Sequence, residues 1–147
     1  MKKLFHLSKI FVVLSIAAFS AVESNAQCKG FVKKQIPKLA PFIHNGQINT
    51  SVLLAGDHAE LTLTFYSGQT YRIMVDSQET LGDVFFLLKD SNKNQVFSSK
   101  DQGKSDYWDF TVESTQQLTV EVEVPDTEAP NGIVPSGCVS ILVGFRQ

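Results

Sequence analysis

Asp90-Ser91-Asn92-Lys93-Asn94 places oxygen donors at alternate positions, and Asp101 stands twelfth counting from Asp90. A hard divalent cation takes several oxygen ligands, so Asp90, Asn92, Asn94 and Asp101 form a candidate calcium set. Two departures weigh against it. Gln95 holds the sixth position, where such a loop turns on Gly, and Asp101 stands where a bidentate Glu belongs. A polar turn between strands uses the same residue types. Calcium at this loop is the one cofactor these residues suggest; otherwise none is expected.

Tyr107-Trp108-Asp109-Phe110 is the densest aromatic stretch. On a strand, Trp108, Phe110 and Val112 share one face, and Tyr107, Asp109 and Thr111 the other. The first set reads as core. Tyr107 and Asp109 are then the outward pair, able to stack on a sugar ring and to bond its hydroxyls. Acid–base chemistry is poorly supplied. Past residue 26 the only histidines are His44 and His58. Asp57 precedes His58, but neighbours on a strand point to opposite faces and make no dyad by themselves. No serine sits in G-x-S-x-G, and no H-E-x-x-H occurs. Glu121 and Glu123 share a strand face that reads as solvated. A small exported hydrolase would have to assemble its site from His44, His58 and Asp57.

The targeting segment comes before these residues. Lys2, Lys3 and Lys9 precede an apolar run from Ile10 to Val22, and Ser24-Asn25-Ala26 offers the small residues a signal peptidase reads. The run is shorter than the roughly 20 residues a spanning helix needs. Residues 1–26 are therefore expected to be a cleavable signal peptide, and the product to be periplasmic or extracellular. A lipoprotein signal would carry a small residue before Cys28, where this chain has Gln27, so lipid anchoring at Cys28 is not expected. Cys28 and Cys138 are the only two cysteines. An oxidising compartment favours bridging them. Closing so long a loop is worth on the order of 4–5 kcal/mol in the chain-entropy view.

Charge excludes one class of partner. The whole chain carries a formal −2, which becomes −4 once Lys2, Lys3, Lys9 and Glu23 leave with the signal. An acidic domain lacks the basic face that phosphate contact needs, so nucleic acid is not expected. Lys29, Lys33, Lys34 and Lys38 do cluster. With Phe31, Val32, Ile36 and Leu39 they predict a short amphipathic helix stopped near Pro37, its apolar side packed on the domain.

Past residue 47 the dominant period is two. Leu61, Leu63 and Phe65 alternate with polar neighbours. Tyr71, Ile73 and Val75 alternate with Arg72 and Met74; Leu118, Val120, Val122 and Val124 with Thr119, Glu121 and Glu123; and Val139, Ile141, Val143 and Phe145 with Ser140, Leu142 and Gly144. Val84 to Leu88 is apolar on both faces and predicts a central strand. Asn45-Gly46, between Ile43 and Ile48, is a hairpin signal. Further turn residues separate the runs, and Pro125 to Gly137 looks like a crossover. About eight short strands without a long helix predict an all-β, two-sheet antiparallel β-sandwich. The expected layout is signal peptide 1–26, helix and turn 27–46, and β-sandwich 47–147.

Gln69 to Val75, Gly82 to Asp90 and Asn94 to Phe97 together resemble the central strands of bacterial pre-peptidase C-terminal domains. The similar part covers about residues 58–124. The resemblance implies a jelly-roll-like sandwich and a non-catalytic role. Those domains are usually appended to secreted enzymes, and no catalytic domain accompanies this one. The expected function is a non-enzymatic exported binding module for a glycan or an envelope protein. The small hydrolase and a structural envelope component are the alternatives.

Overall fold

The computed structural model describes residues 24–128 and 131–147. The expected signal peptide lies largely outside them. Helix α1 spans Ser24–Gln35 and gives way to a 3-10 turn, Ile36–Leu39, where Pro37 cannot continue the helix. The strands are β1 Ile43–His44, β2 Asn49–Leu54, β3 His58–Phe65, β4 Thr70–Ser77, β5 Phe85–Lys89, β6 Gln95–Ser98, β7 Tyr107–Thr111, β8 Gln116–Glu123 and β9 Ser136–Arg146. No helix among the described residues is long and apolar enough to cross a membrane.

The strands form two antiparallel sheets. The front sheet runs β2-β9-β4-β7, with β1 also on β9, and the back sheet runs β3-β8-β5-β6. Apart from β1–β2 and the paired β5–β6, consecutive strands alternate between the sheets, in the order of a jelly roll. The Pro125–Gly137 segment crosses from β8 in one sheet to β9 in the other, as the linker composition predicted. The core lies between the sheets. Phe65, Ile73, Leu88, Val120, Val122 and Val143 are among its buried residues. Trp108 and Phe110 pack against it from β7, on the face their parity predicted.

One turn differs from expectation. Asn45-Gly46 does not close a hairpin, because β1 and β2 both pair with β9 and not with each other. Ile43 lies opposite Phe145 and Asn49 opposite Ile141, so residues 45–48 face only residues 142–143. The segment is a bulge in one interrupted edge strand. Asn-Gly supplies the positive φ, 84° at Gly46, that a bulge needs as much as a hairpin does. The sandwich accordingly takes in residues from Ile43 onward.

The outer face of the front sheet is roofed. Val32 and Leu39 pack on Met74 and Leu142, with Phe31 and Ile36 at the margin. Gly144 makes the approach possible: a Cβ there would stand 2.7 Å from the Cβ of Phe42. The Cys28–Cys138 disulfide pins α1 to β9, with Cα atoms 5.4 Å apart. Both cysteine sulfurs are used in this bridge.

Candidate functional site

Tyr107 and Asp109 point outward, yet neither is free. Across the β4–β7 ladder Arg72 sits opposite Asp109, and Met74 opposite Tyr107. Arg72 Nε donates to one Asp109 oxygen and Nη2 to the other, each at 2.7 Å. The guanidinium lies 4.2 Å from the Tyr107 ring centre and 4.6 Å from that of Phe42. Its Nη1 also donates to the Ala40 carbonyl. The bidentate bond to Asp109 pushes the Arg72 pKa further up, against the cost of burial. Tyr107 and Asp109 thus hold Arg72, and Arg72 clamps residues 40–42 on the sheet. A fork-shaped cation between two rings and a carboxylate is a tertiary device.

Beside the clamp, Lys38 Nζ donates to the buried carboxylate of Asp76 at 2.9 Å. Burial raises the Asp76 pKa and Lys38 partly offsets it. Among the described residues the other Asp76 carboxylate oxygen has no hydrogen-bond partner.

The polar turn from Asp90 joins β5 to β6. One oxygen of Asp90 accepts the amides of Asn92 and Asn94, and the other accepts the Asn94 side chain. These bonds, led by the Asn94 side chain, hold the Asp90 carboxyl below its ordinary value. Lys93 takes a positive φ of 66°. Asp101 accepts a long bond from Gln95 beyond β6. Asp90 is therefore committed to capping its own turn. Among the described residues, no group of three or more His, Cys, Asp or Glu side chains converges on a metal position.

The structure does not bring the catalytic candidates together. The His44 ring bonds the Gln47 carbonyl oxygen within the bulge, and Asp57 accepts the Leu54 amide in the β2–β3 turn. His58 opens β3 opposite Glu123 on the exposed face of the back sheet. Among the described residues, no ion pair or side-chain hydrogen bond joins a histidine to a carboxylate.

Sequence reasoning missed the seam where β1 and β2, at the edge of the front sheet, face β3, at the edge of the back sheet. Two clefts lie end to end along β3. One, of about 340 Å³, is lined by Ile48, Leu61 and Ile141 among others. The second, of about 500 Å³, is lined by Gln47, Leu63, Tyr66 and Phe145 among others. Leu61 and Leu63 face inward but stay half exposed, because the sheets part along this side. Their alternation marks them as core. Only the sheet order puts them at an open edge.

No family model matches the sequence, and no curated protein does either. The resemblance to pre-peptidase C-terminal domains therefore rests on its strand pattern alone. Among solved structures the chain is similar to Aeromonas hydrophila PliG, a periplasmic lysozyme inhibitor of g-type lysozyme. The TM-score is 0.51 at 11% identity, covering 72% of this chain and 89% of that one. At that identity the likeness is one of fold.

Proposed function

We propose that this chain is an exported, non-catalytic domain that binds another protein in the cell envelope or outside the cell. The carrying observation is that the sandwich aligns over most of a periplasmic protein inhibitor, PliG. The Lys-rich start, apolar run and Ser24-Asn25-Ala26 site of residues 1–26 support export. So does the Cys28–Cys138 bridge, which an oxidising compartment maintains. The engagement of Asp109 by Arg72 favours a protein partner over a glycan, since the carboxylate meant for sugar hydroxyls is already bonded.

A g-type lysozyme is the first partner to test. The full chain, exported and oxidised, is titrated into a g-type lysozyme by calorimetry while cell-wall lysis is followed. A stoichiometric complex that slows lysis supports the reading and names the partner. If lysozyme fails, the oxidised chain is immobilised and challenged with envelope extract and with soluble cell-wall glycan. Stoichiometric recovery of one identified protein keeps the broader reading. Retention of glycan alone, or of nothing, overturns it.

A further inference from the structure

The four outermost strands of the two sheets are not equally protected. β6 is four residues long and its ladder shifts register between Leu88 and Lys89. β7 has five residues, and the front edge formed by β1 and β2 is broken by the 45–48 bulge. β3 is different. It runs eight residues in unbroken register with β8, holds no Lys, Pro or Gly, and has no strand on its other side among the described residues. Proteins ordinarily blunt such an edge, because a regular strand with free amides and carbonyls is a template for another chain.

Which groups are free follows from one bond. The Val124 amide donates to the Asp57 carbonyl, in step with the β3–β8 register. Antiparallel ladders alternate, so Ala59, Leu61, Leu63 and Phe65 bond β8. His58, Glu60, Thr62 and Thr64 then turn their main-chain groups to the seam. Below that edge lie the half-exposed Leu61 and Leu63 and the exposed Ile48.

Charge selects the occupant. Glu60 stands directly opposite Glu121, a like-charge pair that costs stability. Glu121 is bonded by Lys89, whose charge also reaches Glu60, but among the described residues no cation forms an ion pair with Glu60 itself. A strand added beside β3 would put a residue next to Glu60 on the same face, and a Lys or Arg there completes the row.

Resting on the protein-binding reading above, we infer that β3 is a docking edge for an extended segment of the partner protein. The segment pairs its main chain with residues 58–64, turns apolar side chains into the seam, and sets a basic side chain against Glu60.

The probe is a pair of labelled peptides, Thr-Val-Lys-Val-Thr-Leu-Thr and the same peptide with Glu for Lys. They are titrated into the oxidised full chain by fluorescence anisotropy, with amide exchange followed by NMR. The Lys peptide is expected to bind about fivefold tighter than the Glu peptide and to protect the Glu60 and Thr62 amides. Glu60→Lys should reverse that preference while holding or raising the melting midpoint, because it removes the clash with Glu121. Thr64→Pro deletes an edge donor but no ladder bond, and should weaken both peptides. Equal binding of the two peptides to wild type and to Glu60→Lys, or no protection of the edge amides, overturns the inference. So does a dimer with the same amides protected in the absence of peptide, which would make a second copy the occupant. If a protein partner is captured but is indifferent to both variants, the docking edge is wrong while the protein-binding reading stands. If the peptides dock but no protein is captured, the reverse holds.

Discussion

The two outer faces of the sandwich are built on the same alternation and have opposite fates. On the front sheet, Met74 and Leu142 are apolar at outward positions because α1 and its 3-10 extension cover them. On the back sheet, the outward positions of β3 and β8 are Thr, Glu, Gln and His, open to solvent and laced by Thr62–Thr119 and Lys89–Glu121 contacts. The difference shows what a short helix needs in order to act as a roof. Three turns are marginal alone, so α1 depends on tertiary anchors: a disulfide at one end and the Arg72 clamp near the other.

The largest expected effect tests the staple. Replacing Cys28 and Cys138 together by Ala should cost about 2–5 kcal/mol in urea unfolding. α1 should detach before the sandwich melts, seen as early loss of helical signal with the strand signal retained. Next come matched truncations. Leu142→Ala, beneath the roof, should cost about 2–5 kcal/mol, and Leu87→Ala, half exposed on the back face, about 1 kcal/mol or less. Equal costs would mean that the roof shields nothing. Arg72→Lys keeps the charge but loses the fork and the stacking, and should cost about 1–2 kcal/mol by the same measurement.

The smallest effect sets two carboxylates against each other. Burial raises the Asp76 pKa above its ordinary 3.8. Between that value and the raised one the folded chain binds more protons than the unfolded chain, so stability falls as pH rises through this window. Hydrogen bonds lower the Asp90 pKa, so its contribution is present above 3.8 and is lost as pH falls through the lowered value. Melts across acid pH should therefore show wild type gaining on Asp76→Asn as pH falls, and losing against Asp90→Asn. Since Asp90 already caps its turn, excess Ca²⁺ should leave the melting midpoint unmoved.

Much of the fold was legible because strand parity is a local property. The inward rows of β4, β8 and β9, the inward Trp108 and the outward Tyr107 all follow from period two. The disulfide was legible because two cysteines allow one pairing. The Asn45-Gly46 turn was misread because a positive-φ Gly serves bulge and hairpin alike. The outward apolar pair Met74 and Leu142 was a signal for the roof, readable only once the helix is known to cross that face.

By itself the sequence determined what each residue sees across its own strand: inward or outward, turn or ladder, and which cysteines can meet. Tertiary structure decided what the outward residues touch. Asp109 meets Arg72, and Arg72 lies between Tyr107 and Phe42. Leu61 and Leu63 lie at an open seam. Facing direction is set by the backbone of a few residues. Occupancy depends on sheet order, which brings together segments far apart in the chain.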